Sequence, residues 1–147
     1  MIREADLADV PALVELGRHF VATSPYLALV GEHPAQIARV FEQLVTQDNG
    51  VLFVADGAEG PVGMIGVILF PHHFSGLLTA GELVWWVEPG ARGTDGLRLL
   101  KRAEAWALAQ GAQQMQMIQP SWETRLDRIY QRLGYDCVEH GWVKAIA

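Results

Sequence analysis

The chain has 147 residues, of which half are apolar and 19% are charged, a balance that excludes an intrinsically disordered protein. Its formal net charge of −6 argues against nonspecific nucleic-acid binding, because that binding depends on neutralising phosphates with basic side chains. No apolar run approaches the ~20 residues that cross a bilayer, so no membrane association is expected. The single cysteine, Cys137, excludes an intramolecular disulfide and is expected to be a small buried residue, not a nucleophile. The N-terminus lacks the basic and apolar regions of a signal peptide, which predicts a cytoplasmic protein. The length predicts one domain over residues 1–147.

Hydrophobic periodicity and turn residues predict short strands and amphipathic helices along the chain. We expect strands at 1–4, 51–56, 62–70, 77–87 and 113–119 and a strand pair within 135–146, with helices at 9–21, 33–50, 97–110 and 121–134. The order is therefore β-α-α-β-β-β-α-β-α-β-β. The early strands should pair antiparallel, whereas the strand–helix–strand unit over 77–119 should be parallel and right-handed. The expected fold class is α/β, with a mixed, mostly antiparallel central sheet flanked by helices.

One junction stands out, the stretch VEPGARGTDGLRLLKRAEAWALAQGA from Val87 to Ala112. A strand ends in a glycine-rich loop, and a helix follows without a spacer. Backbone N–H groups and the positive end of a helix dipole therefore meet at one point, which suits a phosphate or pyrophosphate. Four basic residues, Arg92, Arg98, Lys101 and Arg102, lie in this loop and the first turns of the helix. They favour a small polyanion, although Lys101 and Arg102 are equally compatible with a solvated helix face.

The order of elements and three motifs resemble the GNAT acyl-CoA N-acyltransferases over nearly the whole chain. The motifs are the loop V-x-P-x-x-R-G, the helix LRLLKRAEAWALAQGA and the later IYQRLGY. The combination of WWVEPGARG with the preceding FPHHFSG also resembles a subgroup found in phage and prophage genomes. The resemblance implies that acetyl-CoA is the cosubstrate, that no metal takes part, and that an acetyl group passes to a primary amine of a small molecule or protein.

The resemblance implies that the pyrophosphate of acetyl-CoA is held by the loop Arg92, Gly93, Thr94, Asp95, Gly96 and Leu97. The family loop usually reads R/Q-x-x-G-x-G/A. Counted from Arg92, Asp95 stands where a glycine is expected, whereas counted back from Leu99 and Leu100, Gly96 takes the last glycine position and the loop is one residue short. A carboxylate beside a pyrophosphate would repel it. We therefore expect Asp95 to cap the helix through its side chain while the backbone amides still face the ligand.

The resemblance also suggests how the thioester is handled. A backbone N–H near Trp86 and Val87 would bind the thioester carbonyl and stabilise the oxyanion. Glu82, on the same strand, is the candidate base that deprotonates the amine, the alternative being a solvent-facing strand carboxylate. Tyr130 matches the family's leaving-group acid through IYQRLGY, the alternative being a packed aromatic on an apolar helical stripe.

Four further residues are candidates for contacting the acceptor. His72 and His73 lie in a loop between two strands and would orient or deprotonate the amine, unless they simply belong to a polar hairpin loop. Trp85 and Trp86 point to opposite faces of their strand, so one would pack in the core and the other line the cleft. Tyr26 lies in the loop between helices that shapes acceptor pockets in this family. No third or fourth ligand at suitable spacing accompanies the histidines, so no metal site is expected.

A second function class remains open at this point. The departures in the glycine loop also suit a non-catalytic GNAT-fold domain that binds an acyl-CoA or a protein partner as a sensor or scaffold. A nucleotide-binding module of another fold is disfavoured, because the chain lacks GxxxxGK[ST]. Since many relatives dimerise through their C-terminal strands, the resemblance is also compatible with a homodimer through YDCVEHGWVKAI.

Overall fold

A computed structural model describes all 147 residues. The strands are β1 (Ile2–Glu4), β2 (Gly50–Gly57), β3 (Gly60–Pro71), β4 (Leu78–Val87) and β5 (Gln114–Gln116). The helices are α1 (Val10–Ala22), α2 (Tyr26–Val30), α3 (Pro34–Thr46), α4 (Thr94–Ala109) and α5 (Leu126–Arg132). Two short 3-10 turns, Leu7–Asp9 and Pro89–Ala91, precede α1 and α4.

The five strands form one sheet in the order β1-β2-β3-β4-β5. The first three pairings are antiparallel, and only β4 and β5 run parallel, joined by the crossover helix α4. The predicted mixed, mostly antiparallel sheet flanked by helices is therefore confirmed.

The two faces of the sheet are covered by different helices, because strand side chains alternate between faces. On one face, α1 and α3 enclose the main cluster of buried apolar side chains, which includes Leu52, Val54 and Met64 from the strands. On the other face lies Phe53, with the Arg102 guanidinium of α4 5.1 Å from its ring centre. The sheet is thus buried on both sides, and β4 carries side chains into both layers.

The chain divides into two compact units, Met1–Gln116 and Met117–Ala147. The first contains the whole sheet and the helices α1 to α4. Within the second, the helix predicted over 121–134 is confined to Leu126–Arg132 and ends at Gly134, whose φ of 86° suits a helix C-terminus. None of the helices combines the length and the apolar composition that a membrane span requires.

Three sequence predictions of secondary structure are wrong. The strand pair within 135–146 is absent, and the apolar side chains of Trp142 and Ile146 there are more than 90% exposed. The segment 26–30, predicted as loop, is the helix α2. Helix α4 begins at Thr94, three residues before the predicted start at Leu97. A strand needs a ladder partner and a short helix needs local anchoring, and neither condition can be read from apolar periodicity.

Arg3 of β1 forms ion pairs with the end of β2 and with the residue that precedes α1. Its Nε lies 2.6 Å from an Asp56 carboxylate oxygen at the end of β2, and its Nη1 lies 2.8 Å from Asp9, just before α1. Hydrogen bonding from Arg3 holds the pKa of Asp9 below its ordinary value. In the acid range the unfolded chain therefore binds more protons than the folded one, and this stabilisation is lost as the pH falls through the lowered pKa.

Replacing Arg3 with glutamine should lower the free energy of unfolding by about 1–2 kcal/mol at neutral pH, a figure reduced because a third of the side chain is exposed. The difference from the unsubstituted protein should shrink as the pH falls below about 3.9, the ordinary aspartate value. Urea denaturation followed by circular dichroism across this range measures it. Arg39→Gln, which breaks only a hydrogen bond to Gln36, is the control. A difference that stays constant with pH would contradict the assigned role of Asp9.

Candidate functional site

The junction between β4 and α4 leaves the first amides of the helix accessible. No side chain caps the start of α4, whose N-cap residue is Gly93. The first amides of a helix have no partner within it, so these groups stay available to a ligand. A Cβ added to Gly93 would meet no protein atom within 4 Å, so this open space can admit an anion. The helix start is therefore uncapped and open at the point where the sequence predicts an anion site.

Arg92 is held against the end of β4. Its Nε donates to the Val87 carbonyl at 3.2 Å, and its guanidinium carbon lies 5.1 Å from the centre of the Trp86 ring. The hydrogen bond and the cation–π contact together fix a positive charge two residues before the helix starts. The loop therefore has a built-in cation in a defined position.

Asp95 was predicted to cap α4 through its side chain, and this prediction is wrong. It lies inside the first helical turn, and its carboxylate accepts a hydrogen bond from the Arg98 guanidinium at 3.0 Å. The ion pair with Arg98 offsets the negative charge of the Asp95 carboxylate in the first turn of α4. The two other basic residues, Lys101 and Arg102, are both exposed, and the Arg102 guanidinium lies over the Phe53 ring.

The outer edge of β4 opens beside this loop. The ladder between β4 and β5 ends at the pair Gly81–Gln116, whereas β4 continues to Val87. On the other side, the Glu88 N–H donates to the Val62 carbonyl at 2.8 Å. Since backbone groups alternate along an antiparallel strand, Val87 points its N–H and C=O away from β3. The Val87 amide is therefore directed to the open side.

The alternation of backbone groups along β4 also decides whether the Trp86 amide can bind the thioester as predicted. Its backbone belongs to the alternate set that bonds to Met64 in β3, so the outward amide is that of Val87 and not that of Trp86. Its side chain is 8% exposed and lies in the cluster below α1, edge-on to Phe20 with ring centres 5.9 Å apart. The Trp86 Nε1 is buried without a hydrogen-bond partner. Trp86 thus contributes a core ring that supports Arg92.

Trp85 lies on the opposite face, as the alternation predicts. Its Nε1 donates to the carbonyl of Gly96 at 3.2 Å, in the first turn of α4. A Cβ on Gly96 would stand 3.8 Å from the Trp85 ring, which shows how closely the helix start approaches the strand. The structure places Trp85 beside the loop that would hold a phosphate.

A β-bulge interrupts β4 at Leu83. Gly66 and Val67 are adjacent on β3, yet they pair with Val84 and Glu82, so Leu83 is the extra residue. Bulges re-aim backbone groups, and this one lies four residues before the end of β4. No residue type in the sequence marks a bulge, so the sequence does not predict the bulge at Leu83.

Glu82 precedes the bulge and is 7% exposed. The alternative interpretation of Glu82 as a solvent-facing strand carboxylate is therefore wrong. A carboxylate buried in a sheet is costly unless it is paired or hydrogen-bonded, and the role of Glu82 as a base stays a prediction.

The two histidines lie at the other end of β4. The rings of His72 and His73 stack with centres 4.6 Å apart, and His72 Nδ1 accepts the Phe74 N–H at 3.2 Å within the turn between β3 and β4. Nine residues of β4 separate this turn from Val87, or about 30 Å at 3.3 Å per residue. The structure does not bring the histidines to the glycine loop. Nowhere does it gather three or more His, Cys, Asp or Glu side chains as a metal site.

Tyr26 is exposed at the start of α2. The preceding turn is closed by Ser24, whose buried hydroxyl donates to the Val21 carbonyl at 3.0 Å and accepts the Tyr26 N–H at 3.2 Å. Ser24 thereby fixes α2 directly after α1, and α1 itself contacts β4 through Phe20. The surface that Tyr26 presents is accessible to a ligand.

Within the second unit, Tyr130 on α5 is 8% exposed. Its hydroxyl donates to the Ile118 carbonyl at 3.1 Å, and its ring lies 5.5 Å from that of Tyr135. The Tyr130 ring is therefore packed within this unit, as in the alternative interpretation, and its role as the leaving-group acid stays a prediction. Cys137 in the same unit is exposed, so its predicted burial is wrong. The segment that carries it forms no strand that would cover it.

The sequence matches the family model described as the Acetyltransferase (GNAT) family over residues 17–135. No curated protein sequence matches the chain. Among solved structures, a transcriptional regulator from Bacillus halodurans C-125 is similar, with 25% identity, 99% of both chains covered and a TM-score of 0.77. A predicted acetyltransferase with acetyl-CoA from Clostridium acetobutylicum has 16% identity and a TM-score of 0.76, with 99% of this chain and 94% of the other covered. A ribosomal-protein-alanine N-acetyltransferase from Brucella melitensis biovar Abortus 2308 has 15% identity and a TM-score of 0.72, with 99% of each chain covered.

Proposed function

This chain belongs to the GNAT acetyltransferase family, and from that premise we propose that it transfers an acetyl group from acetyl-CoA to a primary amine. The observation that carries the proposal is the junction of β4 and α4, where uncapped helix amides meet a strand edge that β5 does not cover. The acceptor is a small molecule or a protein. The proposed location is the cytoplasm, and a homodimer through the C-terminal segment stays a prediction.

In this proposal the amides from Arg92 to Leu97 bind the pyrophosphate, and Arg92 adds its fixed positive charge. The residues fit such a group, because Gly93 leaves open space and Arg98 offsets the carboxylate of Asp95. The pantetheine arm would lie along β4 beyond Gly81 and bond to the backbone as an added strand would.

The chain's residues then have distinct tasks in the transfer. An alkyl amine has a pKa near ~10.4, so its nitrogen must lose a proton before or as it attacks, and Glu82 is the proposed base. The attack forms a carbon–nitrogen bond and places negative charge on the carbonyl oxygen. An outward amide of β4, at Val87 or at the Leu83 bulge, would stabilise that charge. When the carbon–sulfur bond breaks, Tyr130 is the proposed proton donor to the coenzyme A thiolate.

The acceptor residues remain Tyr26, Trp85, His72 and His73 as predicted. The exposed position of Tyr26 after α1 supports a contact with the amine substrate. The contact between Trp85 and Gly96 supports a place beside the cofactor. The two histidines, about 30 Å along β4 from Val87, would reach only an extended acceptor such as a protein segment.

Calorimetric titration with acetyl-CoA, coenzyme A and ATP tests the proposal. Micromolar binding of acetyl-CoA with little binding of ATP is expected, followed by acetylation of at least one amine in a coupled thiol assay. Failure to bind acetyl-CoA would overturn the assignment of the loop.

The ion pair between Asp95 and Arg98 allows a sharper prediction about the loop. Arg98→Gln should weaken acetyl-CoA binding by roughly two- to five-fold, because it exposes the pyrophosphate to the Asp95 carboxylate. Asp95→Asn should bind acetyl-CoA at least as well as the unsubstituted protein, and Arg98→Gln should have no further effect in that background. Calorimetry on the four proteins measures the coupling. Weaker binding by Asp95→Asn would show that the ligand uses the carboxylate.

A second candidate function is a non-catalytic GNAT-fold domain that senses an acyl-CoA or binds a protein partner. The similarity to a protein named as a transcriptional regulator, at 25% identity, favours it. So does the replacement of a loop glycine by Asp95. Acetyl-CoA binding without acetylation of any amine would support this candidate over the enzyme.

A further inference from the structure

The last turn of α1 contacts the segment that leads into the glycine loop. His19 Nδ1 is hydrogen-bonded to a carboxylate oxygen of Glu88, and the neighbouring Phe20 meets the Trp86 ring edge-on. These contacts join residues nearly seventy positions apart in the chain. None of the sequence motifs accounts for the pairing of His19 with Glu88.

Glu88 cannot easily move away from the loop, because both of its backbone groups are bonded. Its N–H donates to the Val62 carbonyl at 2.8 Å, and its carbonyl accepts the Ala91 N–H at 2.9 Å. Its side chain is only 26% exposed. A carboxylate fixed this close to the start of the loop would repel a bound pyrophosphate.

The other basic side chains near this contact, Arg18 and Arg92, bind other groups. Arg18, next to His19 on α1, is bonded to Glu15 and to Glu32. Arg92 is bonded to the Val87 carbonyl and lies over Trp86. His19 is therefore the side chain that is hydrogen-bonded to the Glu88 carboxylate.

We propose that His19 is a positioning residue for the cofactor loop: its hydrogen bond holds the Glu88 carboxylate against α1, which keeps that negative charge from opposing a bound pyrophosphate. The inference rests on the proposed function, since it concerns the same loop.

The test measures acetyl-CoA binding by calorimetry at neutral pH. His19→Ala should weaken binding roughly two- to five-fold, the scale of one exposed polar contact, because it releases the Glu88 carboxylate toward the ligand. Glu88→Gln should bind at least as tightly as the unsubstituted protein, and adding His19→Ala to it should change nothing.

The sign of the Glu88→Gln effect separates this role from a structural one. If the contact only anchored α1, removing either partner would weaken binding equally. Arg18→Ala is the matched control on the same helix and should leave binding unchanged. Weaker binding by Glu88→Gln, or unchanged binding by His19→Ala, would overturn the inference alone. Failure of the unsubstituted protein to bind acetyl-CoA would overturn the proposed function, and this inference with it.

Discussion

Replacing Glu82 with glutamine is expected to lower kcat for amine acetylation by roughly 10²- to 10⁴-fold, the usual contribution of a positioned base. Glutamine keeps the shape of the buried side chain but cannot take a proton from the amine. The KM for acetyl-CoA should change little, because Glu82 is proposed to act on the acceptor. Steady-state kinetics with varied acetyl-CoA at a fixed amine concentration, together with the urea midpoint of each protein, measure both effects.

The pH profile provides the decisive comparison for Glu82. In the unsubstituted protein, kcat/KM should fall at low pH as the base becomes protonated, and Glu82→Gln should lack this acid limb. Glu59→Gln, in the turn between β2 and β3, makes the same chemical change on an exposed carboxylate and should be neutral. An unchanged kcat in a folded Glu82→Gln protein would remove Glu82 from the mechanism and leave its burial as a structural matter.

Replacing Tyr130 with phenylalanine is expected to lower kcat by roughly 10²-fold or more while acetyl-CoA binds with nearly the same affinity. The substitution removes only the hydroxyl, which is the group proposed to protonate the departing thiolate. The hydroxyl also donates to the Ile118 carbonyl, so a loss of about 1 kcal/mol in stability is expected as well. Kinetics, calorimetry and a thermal melt separate these effects.

Tyr135→Phe is the matched control for this prediction, because its ring packs against Tyr130 and the same hydroxyl group is removed. It should retain kcat even if the stability of the protein falls. Equal losses in both variants would assign Tyr130 a structural role. If the unsubstituted protein binds acetyl-CoA but acetylates no amine, the sensor or scaffold function replaces the enzyme.

Much of the architecture was predictable because local pattern and tertiary burial agree. Helix α3 carries an apolar stripe from Ile37 to Leu44, and the structure buries Phe41 and Leu44 of that stripe against the sheet. The strands β2 and β3 are runs of β-branched and apolar residues, and both are buried in the middle of the sheet. The glycine loop was located for a similar reason, since a strand, glycines and a helix follow each other without a spacer.

The structural features that the sequence does not predict depend on contacts with residues distant in the chain. Trp85 of β4 bonds to Gly96 in the first turn of α4, and Asp95 pairs with Arg98 instead of capping the helix. The bulge at Leu83 exists only in the pairing of β3 with β4. The strand predicted around Trp142 has the right composition but is not part of any ladder.

The sequence by itself determined the fold class, the family resemblance and the position of the candidate anion-binding loop, since these follow from periodicity, glycine placement and local motif. The tertiary structure alone decided which groups the loop can use. It directed the Val87 amide outward, buried Glu82 and joined His19 to Glu88. Hydrogen-bond alternation, burial and charge pairing are properties of two segments in contact, so no single stretch of sequence contains them.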